Sequence, residues 1–324
     1  MRVPEWAARP QALYAAALDL AAHADRHGFD FLMISEHHGA EDGYCPSPLM
    51  LASAFAARTS RIRLRIAALV LPLYHPLRVA EDVAVLDLVS GGRAEAVLGA
   101  GYREAEFRML GADFAARGRL LDEGVEVLLQ AWTGEPFQFR GEMVRVTPSP
   151  VQRPHPRLLI GGSSRVAARR AARLGLEFVP TDATFFAAYQ AERAARGLPP
   201  GPEFQLGPYF LHVAEDPERD WRRIAPHALH DVDTYARWNA DAHDSQKRMF
   251  EGTSADDLRK GSRFKILDPA GAVRLIRDLG EDSIVQLHPL MGGMDPDLGW
   301  ASAELFMSKV LPELGMARGV EETV

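Results

Sequence analysis

Residues 28–38 read GFDFLMISEHH, an apolar run that ends in three ionisable side chains. The run follows a glycine and is too short for a typical helix, so it predicts a buried β-strand. Glu36, His37 and His38 follow the carboxyl end of this strand, where barrel enzymes place their active sites. Because histidine exchanges protons near neutral pH, the segment is a candidate for acid–base catalysis. The alternative is a loop cluster that hydrogen-bonds neighbouring turns.

Similar apolar runs alternate with stretches of helical periodicity along the chain. Seven runs predict strands, at 29–35, 61–71, 93–99, 157–160, 176–180, 205–214 and 283–288. Six stretches with apolar residues at i, i+3 and i+4 predict helices, at 12–27, 48–59, 77–89, 118–132, 165–174 and 183–196. This alternation predicts parallel βαβ units, which fit either a doubly wound sheet or a (β/α)8 barrel. Nothing strand-like precedes the first helix, so we expect a barrel to lack its first strand.

Two regions interrupt the alternation. Residues 136–156 have apolar side chains at alternate positions, which predicts a β-hairpin, and they end in a proline-rich segment. Residues 216–268 are long and polar, with aromatic side chains at Trp221, Trp238 and Phe250. An insertion of this kind within one domain is typical of a lid or a binding loop. We therefore predict a single domain over residues 1–324, with 216–268 as its lid.

Small residues at two predicted strand ends leave room for a flat ligand. Ala67 and Ala68 lie in the second predicted strand, where a ligand could approach the backbone; packing against a helix is the alternative. Gly99 and Ala100 begin a glycine turn after the third predicted strand. This turn lacks the G-x-G-x-x-G pattern because Glu104 takes the last glycine position, so it is a weak signal for a dinucleotide site.

A stronger signal lies at residues 159–165, LIGGSSR, which run from a predicted strand directly into a helix. Gly161 and Gly162 open the backbone, and Ser163 and Ser164 place two hydroxyl groups at the start of the helix. Backbone N–H groups at a helix N-terminus bind phosphate, so this loop predicts a phosphate site. The alternative is an ordinary helix cap by one of the two serines.

Composition and charge exclude several classes of protein. Of the 324 residues, 47% are hydrophobic and 25% are charged, as in ordinary globular proteins rather than disordered chains. The net charge of −7 gives no reason to expect nucleic acid or an anionic membrane as a partner. Cys45 is the only cysteine and the N-terminus has no apolar signal segment, so we expect a cytoplasmic protein. His227 and His230 lack a clear third ligand, and no metal site is predicted.

Taken in order, these and further motifs make the chain resemble the bacterial luciferase-like family of flavin-dependent oxidoreductases. The motifs are GFDFLMISEHH at 28–38, LPLYHPLRVAEDVAVLD at 71–87, SGGR at 90–93, the glycine turn at 99–103, WTGEP at 132–136, QRP at 152–154 and GGS at 161–163. The match covers residues 12–180 closely and 266–313 more loosely.

The resemblance implies a (β/α)8 TIM barrel with reduced flavin lying across its carboxyl mouth. In the family, a histidine of the EHH segment assists proton transfer; His37 is the matching position, with His38 and Glu36 beside it. Ala67 and Ala68 match the family's site of a non-proline cis peptide beneath the flavin ring. The cofactor contacts that we predict are Ala67, Ala68, Gly99, Ala100, Gly161, Gly162, Ser163 and Ser164.

Three positions depart from bacterial luciferase. Ala100 stands where luciferase has an arginine that helps to hold phosphate, Ser163 where it has a glutamate, and Ala167 where it has a threonine. The aldehyde substrate of luciferase is therefore not implied.

The function that the resemblance implies is a monooxygenase that uses FMNH2 and O2 on a small organic substrate. No nicotinamide fingerprint is visible, so a separate reductase is expected to supply the FMNH2, and the family implies a homodimer. One alternative is a coenzyme F420-dependent oxidoreductase that transfers hydride, because the same fold serves both cofactors. A further alternative is a non-catalytic luciferase-like subunit, against which His37, His38 and the loop at 161–164 argue.

Overall fold

The computed structural model describes residues 1–239 and 254–316 of the chain. Its strands are β1 Phe31–Ile34, β2 Arg63–Leu69, β3 Ala94–Leu98, β4 Phe137–Phe139, β5 Glu142–Val144, β6 Arg157–Gly162, β7 Glu177–Pro180, β8 Gln205–Leu206, β9 Phe210–Val213, β10 Phe264–Leu267 and β11 Ser283–Ile284.

Its α-helices are α1 Pro10–Arg26, α2 Pro48–Ala56, α3 Pro76–Ser90, α4 Glu104–Leu110, α5 Arg117–Ala131, α6 Arg165–Arg173, α7 Phe186–Ala195, α8 Pro217–Trp238, α9 Ala255–Lys260, α10 Pro269–Leu279 and α11 Pro296–Leu305. Short 3-10 turns lie at Leu71–Leu73, Ala183–Phe185, Met291–Gly293 and Pro312–Leu314, and a π-helical segment at Phe306–Val310. The six predicted helices are confirmed, with the last beginning as a 3-10 turn. Among the described residues, no helix is both long and apolar enough to cross a membrane.

The chain divides into two compact units. We call them the sheet unit, made of Phe29–Ala40 and Tyr44–Pro202, and the terminal unit, made of Met1–Gly28, Glu41–Gly43 and Glu203–Val324. The interpretation of residues 1–324 as a single domain stays a prediction.

The sheet unit is built on five parallel strands in the order β1-β2-β3-β6-β7. They confirm the first five predicted strands, and the antiparallel pair β4–β5 confirms the predicted hairpin. Leu64 and Ile66 of β2 are fully buried, as expected for a parallel sheet covered by helices. Because parallel strands end at the same edge of a sheet, the loops after β1, β2, β3 and β6 lie side by side.

A row of charges crosses this sheet near the amino ends of its strands. Glu95 of β3 accepts hydrogen bonds from Arg63 at 2.9 Å and Arg65 at 2.8 Å on one side, and from Arg157 at 3.1 Å on the other. Burial opposes the charged form of Glu95, but Arg65, Arg63 and Arg157 together hold the pKa of this carboxyl below its usual value. A buried charge is tolerated here because it is paired on both sides.

Two residues within the sequence motifs, Asp87 and Arg93, hold distant segments of the sheet unit together through several hydrogen bonds each, and we call each of them a clamp. The carboxylate of Asp87, fully buried at the end of α3, accepts from the backbone N–H groups of Val151 and Gln152 at 2.7 and 2.9 Å. The Gln152 side chain adds a third bond to Asp87 at 2.6 Å. These bonds hold the proline-rich segment before β6 against α3.

Arg93 is the second clamp. It is buried, and its guanidinium donates to the carbonyls of Ser90 at 2.6 Å, Ile62 at 2.8 Å, Thr59 at 2.9 Å and Ala56 at 3.2 Å. A further bond of 2.8 Å reaches the hydroxyl of Thr59. Carbonyls at a helix C-terminus have no partner within the helix, so one arginine satisfies the ends of both α2 and α3.

The terminal unit contains two short parallel pairs, β8–β11 and β9–β10, with a bridge between Leu211 and Leu287. The continuous strand predicted at 205–214 is wrong, because Gly207-Pro208-Tyr209 separates β8 from β9 and proline has no N–H group for the ladder. The strand predicted at 283–288 is likewise limited to β11, with Leu287 in the bridge.

The described part of the predicted lid, residues 216–268, has regular structure. Trp221, Ile224, Ala228 and Val232 line one face of α8 and pack into the core of the terminal unit. β10, which the sequence analysis did not predict, contributes Phe264 and Ile266 to the same core. Residues 240–253, including Phe250, lie outside the described residues, and a lid function stays a prediction.

Candidate active site

Glu36 joins the ends of two neighbouring strands. It follows β1, and its side chain is 0% exposed. Its Oε2 atom accepts a hydrogen bond of 2.8 Å from the N–H of Val70, just after β2. Its Oε1 atom accepts from the hydroxyl of Tyr74 and lies 2.7 Å from Nε2 of His38. Burial of Tyr74, together with the Glu36 charge, raises the pKa of this phenol, so Tyr74 remains a donor to Glu36.

His38 is the charged partner of this carboxylate. The hydrogen bond with Glu36 raises the pKa of His38, although burial of the ring works in the opposite direction. Among residues 1–239 and 254–316, Glu36 forms its ion pair with His38 and with no arginine or lysine. The imidazolium form of His38 therefore compensates a buried negative charge.

This pair predicts a pH dependence of stability. The pKa of His38 is raised on folding above its unfolded value of 6.5, so protonation of His38 stabilises the folded state. This contribution to the unfolding free energy is complete below pH 6.5 and is lost as pH rises through the pKa of the folded state. We expect the difference in unfolding free energy between the wild type and His38→Asn to be largest near pH 6 and to shrink above pH 7. Urea unfolding of both proteins across this range measures it; a difference that is constant with pH would contradict the charged pair.

His37 is oriented by a different carboxylate. Its Nδ1 atom lies 2.8 Å from Oε1 of Glu106 in α4, and its Nε2 atom lies 3.4 Å from the hydroxyl of Tyr102. The ring of Tyr44 packs edge-on against the imidazole at 4.8 Å. A carboxylate can only accept, so Nδ1 carries a proton toward Glu106 and Nε2 is the atom that gains or loses one.

Glu106 is held in place by three donors. Besides His37, its Oε1 atom accepts from the N–H of His38 at 3.1 Å and from Arg103 at 2.8 Å. Burial would favour the neutral acid, but the hydrogen bond to His37 and the charge of Arg103 hold the pKa of Glu106 below its usual value. Arg103 also donates to the carbonyl of His38 at 3.1 Å, so one guanidinium fixes both the carboxylate and the histidine segment.

Small residues lie at the neighbouring ends of β2, β3 and β6. The peptide bond between Ala67 and Ala68 is cis, at the position that the family resemblance implies. A Cβ atom added to Gly99 would lie 3.0 Å from the Cβ of Ala68, and one added to Gly161 would lie 2.8 Å from Val97. Neither glycine could carry a side chain without displacing these neighbours, so the strands pack closely at this point. Ala100 continues from Gly99 and is half-buried.

The loop from β6 to α6 keeps two backbone donors available. Ser164 caps the helix, because its hydroxyl accepts from the N–H of Ala167 at 3.2 Å, as the alternative interpretation of this loop predicted. The N–H groups of Arg165 and Val166 have no acceptor among the described residues. Gly162 is required where it stands, since a Cβ atom would lie 2.5 Å from that of Ala167.

The three predicted catalytic residues, Glu36, His37 and His38, lie within hydrogen-bonding distance of one another or of further side chains. These further side chains were not predicted from the sequence. The additional members are Tyr74, Tyr102, Arg103 and Glu106. The sequence held no signal for Glu106, because Glu104 lies in the same turn of α4 and only the structure shows that Glu106 is the buried one.

No cluster of three metal-ligating side chains occurs in the part of the chain that the structure describes. His227 is hydrogen-bonded through Nδ1 to the carbonyl of Gly292 at 2.8 Å, and His230 through Nε2 to Asp42 at 2.8 Å.

Comparison with known proteins decides the family. Residues 1–283 match the family model described as luciferase-like monooxygenase. The chain belongs to this family. Among curated relatives of the luciferase-like chain is the FMNH2-dependent dimethylsulfone monooxygenase of Pseudomonas putida, 27% identical over 232 residues, which are 67% of this chain and 63% of that protein. The chain spans about half the length of other curated relatives that it matches, 49% and 47%.

Solved structures share the fold over nearly the whole luciferase-like chain. The oxygenating constituent of 3,6-diketocamphane monooxygenase from Pseudomonas putida, in complex with FMN, has a TM-score of 0.75 at 18% identity and covers 97% of this chain and 98% of its own. The coenzyme F420-dependent tetrahydromethanopterin reductase of Methanopyrus kandleri has a TM-score of 0.65 at 17% identity, with coverage of 94% and 96%. The predicted luciferase-like α/β fold is confirmed.

Proposed function

We propose that the chain is the oxygenase component of a two-component flavin monooxygenase, which uses FMNH2 and O2 to oxygenate a small organic substrate. The observation that carries the proposal is the juxtaposition of two carboxylate-held histidines with a row of small residues at neighbouring strand ends. Relatives named as FMNH2-dependent or complexed with FMN support it.

The residues present fit a flavin mononucleotide. The flat ring would lie against Ala67, Ala68, Gly99 and Ala100, since none of these residues has a side chain larger than a methyl group. The phosphate would accept from the available N–H groups of Arg165 and Val166 at the start of α6, beside the loop at 161–164. Ser163 and Ser164 flank this position, with Ser164 also capping the helix.

Reduced flavin would supply two electrons, so that one oxygen atom of O2 enters the substrate and the other leaves as water. The balance is substrate + O2 + FMNH2 giving oxygenated substrate + FMN + H2O. His37 moves protons at Nε2, since Glu106 engages Nδ1. Glu36, His37 and His38 are buried or nearly so, which limits water at the reacting atoms.

A separate flavin reductase is the partner that this chemistry requires, and the relative from Acinetobacter baylyi named as the oxygenase component of a trigonelline monooxygenase supports one. We place the system in the cytoplasm, where reduced flavin is produced. A homodimer through α2 and α3 is also proposed, because Met50, Val85 and Val89 on these helices are 75%, 46% and 56% exposed.

A second candidate is hydride transfer with coenzyme F420, which the fold of the Methanopyrus reductase favours. The two candidates differ in whether O2 is consumed, so they are separable by one measurement.

That measurement is anaerobic binding of FMN, FMNH2 and F420, followed by addition of O2. We expect FMNH2 to bind most tightly and O2 to be consumed with formation of oxidised flavin. Tight binding of F420 with no reaction toward O2 would instead assign hydride transfer, and failure of all three would contradict both.

The phosphate position has its own matched pair of variants. Proline is tolerated at the first position of a helix, and Ser164 at φ −149° and ψ 154° already has the extended backbone that precedes proline. Arg165→Pro therefore removes one N–H group, whereas Arg165→Ala removes only the side chain. We expect Arg165→Pro to weaken FMN binding about 10-fold or more relative to Arg165→Ala, with riboflavin binding unchanged. Equal FMN affinities of the two variants would show that the phosphate does not bind at the N–H group of residue 165.

A further inference from the structure

The two neighbouring histidines are held by carboxylates through opposite ring nitrogens. Glu106 engages His37 through Nδ1 at 2.8 Å, whereas Glu36 engages His38 through Nε2 at 2.7 Å. The carboxylates come from different elements, since Glu36 follows β1 and Glu106 lies in α4. Each is further fixed by other donors, Val70 and Tyr74 for Glu36 and Arg103 for Glu106.

A carboxylate has no proton to donate, so each engaged nitrogen carries a hydrogen. The neutral form of His37 therefore has its proton on Nδ1 and presents Nε2. The neutral form of His38 has its proton on Nε2, so Nδ1 is the nitrogen that carries the second proton of its imidazolium form. Nε2 of His37 faces the hydroxyl of Tyr102, at 3.4 Å. Nδ1 of His38 has no partner within residues 1–239 and 254–316.

The charge balance around the two rings differs as well. Glu106 is already compensated by Arg103 at 2.8 Å, so its charge does not depend on His37 alone for a partner. Glu36 is fully buried and its ion pair is with His38, which therefore retains a second proton to complete the pair. The titratable groups that face the two rings include Glu36, Tyr44, Tyr74, Tyr102, Arg103 and Glu106.

We propose that Glu106 and Glu36 lock the two histidines in opposite tautomers, so that His37 is the base, at Nε2, and His38 the acid, at Nδ1. Glu36, Glu106, Tyr74 and Arg103 are positioning residues in this scheme. The roles in turnover rest on the proposed function. Monooxygenation releases no net proton, because the two protons lost when FMNH2 becomes FMN equal the two that the oxygen leaving as water takes up. A proton that His38 gives to this oxygen is therefore balanced by one that His37 accepts from the reduced flavin. Exchange with solvent then restores both rings.

The tautomers are measurable without turnover. We would record two-bond proton–nitrogen correlation spectra of the full chain labelled with 15N-histidine, and assign the two residues by their loss in His37→Asn and His38→Asn. We expect a protonated Nδ1 in His37 and a titrating Nδ1 in His38. The same tautomer in both rings would overturn the proposal, whatever the enzyme's activity.

Two substitutions at the Glu36 site are expected to act in opposite directions. Glu36→Gln removes the charge, and we expect His38 to bind its proton roughly 10-fold less tightly or weaker still. Tyr74→Phe removes a competing donor from the same oxygen, so His38 should bind its proton more tightly. His37 should be unaffected by either change. Glu104→Gln, an exposed acid paired with Arg108 on α4, is the matched control and should move neither ring.

Kinetics test the division of roles. A base limits activity at low pH and an acid limits it at high pH, so each limb of the kcat/KM profile reports one ring. Glu106→Gln is expected to move the low-pH limb to lower pH, and Glu36→Gln to move the high-pH limb to lower pH. If both variants move the same limb, the assignment of His37 as the base and His38 as the acid is wrong. If the tautomers are opposite but the wild type neither binds reduced flavin nor consumes O2, the proposed function fails and the tautomer assignment stands.

Discussion

His37→Ala is expected to lower kcat by about 100- to 10,000-fold while leaving the affinity for FMNH2 nearly unchanged. The loss follows because Nε2 of His37 is the proton-exchanging atom, held in place by Glu106 and facing Tyr102. Flavin affinity is retained because the proposed contacts to the ring and phosphate come from other strand ends. Anaerobic titration and single-turnover mixing with O2 measure the two quantities separately.

The variant should fold, since Glu106 keeps its bonds to Arg103 and to the N–H of His38. Added imidazole is expected to restore part of the activity. Arg108→Ala, which breaks an exposed ion pair on α4, is the control and should retain full turnover. Unchanged turnover in His37→Ala would remove this residue from the mechanism.

Arg93→Met is expected to cost about 3–5 kcal/mol of unfolding free energy. The substitution leaves four carbonyls and the Thr59 hydroxyl, which Arg93 now satisfies, without that donor in a buried region. For a chain of this size the apparent melting temperature should fall by about 4–7 °C. Arg93→Lys should recover only part of the loss, because one ammonium cannot reach acceptors on both helix ends.

Arg119→Met is the matched control for Arg93→Met. Arg119 is 64% exposed in its pair with Glu123, so its removal should change stability by less than about 0.5 kcal/mol. Thermal unfolding of the three arginine variants beside the wild type makes the comparison. Similar melting temperatures for Arg93→Met and Arg119→Met would show that the clamp between α2 and α3 adds little.

Local patterns were sufficient for the sheet unit because its central strands, β2 and β3, are mostly buried and its helices are amphipathic. They failed in the terminal unit for identifiable reasons. Gly207-Pro208 sits inside an apolar run that otherwise resembles one strand. The polar surface of α8 concealed the buried face formed by Trp221, Ile224 and Val232, so the segment was interpreted as part of a lid.

The candidate site was only partly predictable for a different reason. Glu36, His37 and His38 are adjacent in sequence, so their position together at a strand end can be inferred from the strand alone. Glu106 lies 69 residues from His37, and Tyr74 lies 38 residues from Glu36, so their contacts depend on tertiary structure. Which nitrogen of His37 is engaged depends on the distant Glu106, and no sequence pattern specifies it.

The phosphate end of the proposed flavin site has a consequence for cofactor choice. Ser164, Arg165 and Val166 are exposed, so a phosphate bound to their loop would remain in contact with water. A group attached beyond that phosphate would extend into solvent from this loop. Such groups are the adenylate of FAD and the glutamyl tail of F420. Discrimination among these molecules then falls to the ring end, at Ala67, Ala68 and Gly99. Exchanging cofactors by engineering would therefore begin at those three positions and leave α6 untouched.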